Sequence, residues 1–85
     1  MKDQSSPMFL SLVFSLAQAA LVCLGKIAGV NGEISRDLNQ AKLNIDMIEM
    51  LRDKTVNNLT QDESRLLSST LADLQLNYTD EINKN

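Results

Sequence analysis

The sequence predicts an all-α protein of three helices, and three observations support this fold class. Apolar residues recur at steps of three or four, the spacing of one helix face, in two segments, and an N-terminal segment is apolar almost throughout. A residue that can cap a helix precedes each segment: Ser6, Asp37 and Thr60. No stretch alternates between apolar and polar residues for long enough to predict a sheet. Helices two and three are expected to form an antiparallel hairpin, with helix one packed on it in an oligomer.

The first helix is predicted to begin at Pro7. Ser6 can cap it, and proline suits the first helical position because its missing N–H would have no partner there. Gly25 or Gly29 is expected to end the helix in a left-handed conformation, which glycine adopts without strain.

A linker over residues 26–36 precedes the second helix, and its Asn31-Gly32 pair predicts a turn. Helix two is predicted to begin at Asp37, with Gln40 three residues later in the manner of a capping box. Two apolar stripes then run side by side: Leu38, Ala41, Ile45, Ile48 and Leu51, and beside them Leu43, Met47 and Met50. The second stripe indicates packing on two sides of the helix.

The end of helix two is expected near Val56, with Asn57 or Asn58 as a left-handed cap. Helix three has the clearest start, because Thr60 and Glu63 form a Thr-x-x-Glu capping box. Its apolar residues follow at helical spacing: Leu66, Leu67, Leu71, Leu74 and Tyr78.

One small domain is expected. Residues 1–6 are predicted to be a disordered N-terminus, residues 7–78 a single helical domain, and residues 79–85 a polar tail that frays. A chain of 85 residues buries only about 60–65% of its unfolded surface, so its own core is marginal. With one cysteine it cannot form a disulfide of its own, and a homodimer or higher homo-oligomer is the expected source of further stability.

Composition argues against several function classes. Eight Lys and Arg are scattered against eleven Asp and Glu, and only three residues are aromatic, so nucleic acid is not an expected partner. Histidine is absent and cysteine occurs once, so neither a zinc site nor another cofactor is expected. No nucleophile has an evident partner, and the chain is not expected to be an enzyme.

No charged residue occurs from Gln4 through Gly25, and fourteen of the eighteen residues over 8–25 are apolar. At about 1.5 Å per residue this segment would span about 27 Å, close to the thickness of a bilayer core. Three interpretations remain open: a buried helix, a membrane helix, or a signal peptide cleaved near residues 17–19. A polar stripe suits either of the first two: Ser11, Ser15 and Gln18.

Two sets of residues could carry chemistry. Asp46, Glu49 and Asp53 share a face of helix two and could bind a divalent cation, although a solvated face with Lys42 paired to Asp46 is the simpler interpretation. Cys23 could be a reactive thiol, but its neighbours are apolar and no histidine exists to activate it. Core packing explains this cysteine better.

The turn between helices two and three, framed by Lys54-Thr55 and residues 58–60, could hold a small anion beside a helix N-terminus. A turn that only caps the two helices is the simpler interpretation, because no glycine-rich loop is present to cradle a phosphate.

Taken in order, these stretches resemble DUF1844, a family of short bacterial proteins of unknown function. The resemblance covers residues 9–78 and rests on an ordered set: Phe9, Ser15-Leu16-Ala17, Ala20-Leu21, Leu24-Gly25, Gly32-Glu33, Leu38, Ala41-Lys42, Ile45-Asp46, Lys54-Thr55, Asn58-Leu59-Thr60, Leu66-Leu67, Asp73-Leu74 and Tyr78. It implies a small cytoplasmic bacterial protein and supplies no activity.

The sequence departs from the family pattern at several positions. The family usually has glycine where Asn57 stands, and two arginines where Gln75 and Asn77 stand. Relatives are often polar at the positions of Leu10 and Phe14. The resemblance therefore implies that the first helix lies at a protein interface rather than in a membrane.

The sequence as a whole predicts a non-catalytic helical protein that self-associates and binds or regulates a protein partner in the cytoplasm. The alternative is a small protein anchored at the inner membrane by residues 8–25 as a single transmembrane helix. The interface is expected to use eight residues: Phe9, Leu12, Leu16, Ala20, Leu21, Leu24, Met47 and Met50.

Overall fold

Three α-helices make up the fold in a computed structural model that describes residues 6–84. Helix α1 spans Pro7–Cys23, α2 spans Leu38–Lys54 and α3 spans Gln61–Asn83. No strand occurs within residues 6–84. The predicted all-α class with three helices is therefore confirmed.

Each helix begins where the sequence predicts. The Oγ of Ser6 accepts a hydrogen bond from the N–H of Phe9 at 3.3 Å, and Pro7 occupies the first turn of α1. At the start of α3, Thr60 and Glu63 form both bonds of the capping box, which satisfies two backbone donors that the first turn would otherwise leave without partners.

The start of α2 differs in one respect from the predicted capping box. An Asp37 carboxylate oxygen accepts the N–H of Gln40 at 3.1 Å, as expected. The N–H of Asp37 donates to the carbonyl of Cys23 at 2.8 Å, rather than to the Gln40 side chain. This bond ties the start of α2 to the end of α1 and closes the intervening linker.

Left-handed residues end the first two helices, as their sequences predict. Gly25 has φ of 78° just after α1, and Asn57 has φ of 72° after α2. A side chain is strained in this left-handed region, and asparagine tolerates the conformation best after glycine. Helix α2 ends at Lys54 rather than near Val56, and the N–H and hydroxyl of Thr55, which follows it, both donate to the Leu51 carbonyl.

Helix α3 extends further than the sequence predicts. The tail expected to fray from Thr79 is helical through Asn83, and Glu81 within it is buried. Ion pairs of Glu81 with the α1–α2 linker stabilise this last turn, and they join residues too distant in sequence for a local pattern to reveal. The predicted disordered N-terminus lies outside the described residues except for Ser6, which caps α1.

The helices pack with α2 antiparallel to both neighbours. Lys42, near the start of α2, lies beside Tyr78, near the end of α3. At the opposite end, Arg52 of α2 and Arg65 of α3 line the same groove. This arrangement is consistent with the predicted hairpin. All three helices and Leu24 contribute to the core: Val13, Ala17, Ala20, Leu24, Ala41, Ile45, Ile48, Leu67, Leu71 and Leu74.

Candidate interaction surface

A stripe of uncharged, mostly apolar side chains runs along the outer flank of α1. Its four members follow at steps of four, three and four: Leu12, Leu16, Ala19 and Cys23. This spacing places them on one flank of the helix. Leu12 is 46% exposed, and the other three are half-buried. The flank is therefore accessible along most of the length of α1.

A second stripe lies on the neighbouring flank of α2 and consists of Leu43, Met47 and Met50. Leu43 and Met50 are 52% and 44% exposed, and Met47 is half-buried. The two stripes border the same seam, because the Asn44 amide nitrogen lies 3.9 Å from the Cys23 sulfur. Together they form one uncharged surface, called here the α1–α2 face: Leu12, Leu16, Ala19, Cys23, Leu43, Met47 and Met50.

The α1–α2 face points away from α3. Ile45 of α2 lies beside Tyr78 of α3, whereas Met47 is two residues further along and so about 200° around the helix. No residue of the face carries a charge, although the chain as a whole has a net charge of −3. An apolar surface across two helices is typical of a protein-binding site.

Four of the eight residues predicted for the interface lie on this face: Leu12, Leu16, Met47 and Met50. Leu16 also packs against the core of the chain, and the other four lie in or against it: Phe9, Ala20, Leu21 and Leu24. Because α1 is apolar around most of its circumference, its sequence does not distinguish the flank that packs on α2 from the flank that is exposed. Sequence reasoning omitted Leu43 from the interface, although the stripe it forms with Met47 and Met50 was already visible.

The sulfur of Cys23 does not have the surroundings of a reactive thiol. Burial is the main reason that its pKa is raised, and the negative charge of Asp37 raises it further. A raised pKa lowers the fraction of thiolate, which is the nucleophilic form. Cys23 thus contributes to the packing of α1 against α2.

The acidic residues on α2 are occupied by cations of the same helix. Asp46 accepts from the Lys42 ammonium at 3.0 Å, and Arg52 lies 3.5 Å from Glu49 and 3.6 Å from Asp53. Within residues 6–84, no three His, Cys, Asp or Glu side chains come together as ligands for a metal ion. The arrangement matches the simpler interpretation of a solvated helix face.

Glu81 is the centre of the largest ion-pair cluster in the described part of the chain. Its carboxylate lies 2.9 Å from the Lys26 ammonium, 3.0 Å from the Arg36 guanidinium and 2.8 Å from the Lys84 ammonium. Hydrogen bonds from these three cations, with that of Lys26 the strongest, lower the pKa of Glu81 to about 2. The cluster fixes the last turn of α3 against the α1–α2 linker.

Glu63 makes the corresponding connection at the other end of α1. One carboxylate oxygen accepts the N–H of Ser6 at 2.6 Å, and the other accepts the N–H of Thr60 at 2.9 Å. The Ser6 bond is the main reason that the pKa of Glu63 is lowered, followed by the Thr60 bond. Helix α1 is thus held parallel to α3 at both ends, which fixes the flank that it exposes.

The N-terminal segment without charged residues forms α1, a helix of 17 residues, and the polar stripe of this helix faces solvent. Ser11, Ser15 and Gln18 are all exposed. In the part of the chain that the structure describes, no helix combines the length and the apolar character needed to cross a bilayer.

Comparison with known families gives one match. The model of the family described as "Domain of unknown function (DUF1844)" matches residues 6–80, which is most of the chain. The chain therefore belongs to DUF1844, and the resemblance found in its sequence is confirmed. Neither the curated proteins nor the solved structures contain a significant match.

Proposed function

We propose that this member of the DUF1844 family is a non-catalytic protein that forms a homodimer through the α1–α2 face, and that the dimer binds or regulates a protein partner. The observation that carries this proposal is the α1–α2 face itself. Leu12, Leu43 and Met50 are 44–52% exposed there.

The favourable term in such a dimer is the burial of apolar surface. Removing it from water gains about 25 cal/mol per Å². A chain of this size has a small core, so covering the α1–α2 face with a second copy adds stability that the monomer lacks.

The dimensions of the face suit a dimer. Helix α1 is about 26 Å long. Two packed helices with axes about 8–10 Å apart and diameters of about 10 Å present a width of about 20 Å, so the pair covers roughly 500 Å² in projection. Because side chains protrude, the accessible area is larger and approaches the roughly 800 Å² that each partner contributes to a standard interface.

The chemistry of the face favours a second copy over a charged partner. It carries no charge, so two copies can meet across a two-fold axis without repulsion and without burying an unpaired ion. Met47 and Met50 add flexible side chains that adapt to an opposing surface.

The absence of catalysis is part of the proposal. The sequence contains no histidine, and the thiol of Cys23 has a raised pKa. A role carried out through contacts with another protein needs none of the groups that activate a nucleophile.

Light scattering after size exclusion, on untagged protein without detergent, tests the dimer. The wild type is expected at about twice the 9.4 kDa of the chain. Leu43→Glu places a charge on the α1–α2 face and should shift the protein to the monomer mass, because pairing the faces would then bury two unpaired carboxylates.

Leu76→Glu is the matched control, since Leu76 is a 64% exposed leucine on the outer side of α3. It should leave the dimer intact, and circular dichroism should show unchanged helicity for both variants. A wild type that stays monomeric at 100 µM, or a Leu43→Glu variant that stays dimeric, would disprove the interface. Recovery only from membranes with detergent would favour the membrane-anchored alternative.

A further inference from the structure

An open groove of about 630 Å³ lies where the end of α2 meets the start of α3. Two of its lining residues are charged, and both are arginines: Arg52 from α2 and Arg65 from α3. The chain as a whole has more acidic than basic residues, eleven against eight. A groove whose charged lining residues are both arginines therefore departs from the composition of the chain.

The hairpin itself brings the two arginines together. Arg52 lies in the last turn of α2 and Arg65 one turn into α3, on antiparallel helices, and both side chains border the same groove. Arg65 has no ion pair within residues 6–84. Arg52 pairs with Glu49 and Asp53 only at 3.5 and 3.6 Å on an exposed surface, where such pairs contribute little and can be exchanged.

The other groups lining the groove are suited to a molecule that has an anionic group and an uncharged remainder. Ser64 and Ser68 present hydroxyl groups one turn apart on α3, and Val56 and Leu59 supply apolar surface from the turn. The volume falls within the range of about 300–1,000 Å³ that is usual for small-molecule sites.

We propose that this groove binds a small molecule through its phosphate group, held between the guanidinium groups of Arg52 and Arg65. Each guanidinium offers paired N–H donors. A tetrahedral phosphate can accept from two guanidinium groups at once, whereas the two oxygens of a carboxylate are satisfied by a single arginine. The rest of the molecule lies over Val56 and Leu59. The site is independent of the α1–α2 face, which lies on the other flank of α2.

A titration followed by ¹H–¹⁵N nuclear magnetic resonance tests the site, with inorganic phosphate and pyrophosphate as probes at constant ionic strength. The expected result is a saturable shift of the Arg52 and Arg65 Nε–H signals and of the Ser64 amide. Arg65→Gln should weaken binding about tenfold, the effect of losing one charge-assisted pair of hydrogen bonds. Arg65→Lys keeps the charge but not the paired donors, and should weaken it less.

Lys42→Gln removes an exposed cation outside the groove and should bind phosphate as the wild type does. Leu43→Glu should also bind normally, whatever its effect on association. The proposal is overturned if sodium chloride produces the same shifts, if saturation is not approached by 20 mM pyrophosphate, or if Lys42→Gln weakens binding as much as Arg65→Gln. Arg52→Gln provides a second test if Arg65→Gln changes the helicity.

Discussion

Helices α1 and α3 both build the core, but they differ on the sides that they turn outward. Helix α3 carries six charged residues and α1 carries none. Helix α3 buries three leucines, and most of its exposed positions are polar. Helix α1 buries the smaller residues Val13, Ala17 and Ala20 while leaving Met8, Leu12 and Phe14 exposed.

The small buried side chains of α1 affect how closely it packs against α2. Small buried side chains let two helices approach closely, and Ala41 on the facing helix is also fully buried. Of the large apolar residues of α1, Phe9, Leu16 and Leu21 pack against the core, whereas Met8, Leu12 and Phe14 stay exposed. Helix α1 therefore leaves more large apolar surface uncovered than α3, on which Leu76 and Ile82 are the only exposed large apolar residues.

The largest expected effect tests the inner side of α3. Leu71→Ala removes a 1% exposed side chain and should lower the free energy of unfolding by about 2–5 kcal/mol, because it loses buried apolar contacts and leaves a cavity. Leu76→Ala on the same helix is the control and should change it by less than about 0.5 kcal/mol. Urea denaturation followed by circular dichroism measures both. Equal effects would contradict the assignment of inner and outer sides on α3.

A second prediction concerns the connection of α3 to the α1–α2 linker. The pKa of Glu81 is about 2 in the folded chain, below its ordinary value of 4.5. A lowered pKa means that the carboxylate stabilises the fold above about pH 4.5, and that this contribution is lost as the pH falls towards 2. Glu81→Gln should therefore lower the urea midpoint at pH 7, where it leaves three cations without their carboxylate.

The difference in urea midpoint between Glu81→Gln and the wild type should narrow as the pH falls from 4.5 towards 2, because protonation of this carboxyl in the unfolded chain then offsets the stabilisation by its ion pairs. Asp80→Asn removes a negative charge from an exposed neighbour and should leave the midpoint at pH 7 close to that of the wild type. A gap for Glu81→Gln that is the same at pH 7 and pH 2.5 would show that its charge does not stabilise the fold.

The sequence could predict features that depend on neighbouring residues, but not contacts between residues distant in the chain. The starts of the helices depend on residues within one turn, so Ser6, Asp37 and Thr60 were recognised as caps and confirmed. The Glu81 cluster was missed because Arg36 is 45 residues away in sequence. Arg52 and Arg65 were also missed as a pair, although their positions within about one turn of the ends of α2 and α3 were a usable signal once the hairpin was predicted.

The smallest expected effects compare the N-terminal caps of α3 and α1. Thr60→Ala removes an oxygen that accepts the N–H of Glu63 at 3.1 Å within a complete capping box, and should cost about 1–2 kcal/mol of unfolding free energy. Ser6→Ala removes a longer bond of 3.3 Å to Phe9 and should cost about 0.5 kcal/mol.

The smaller cost for α1 has a structural reason that can be tested. The backbone N–H of Ser6 still donates to Glu63 in Ser6→Ala, so the start of α1 stays attached to α3 without the hydroxyl. Ser69→Ala, at an exposed position inside α3, controls for the helix propensity of alanine and should be neutral or slightly stabilising. If urea denaturation gives Ser6→Ala the larger cost, the hydroxyl, rather than the backbone bond to Glu63, holds α1 in place and sets the flank that it exposes.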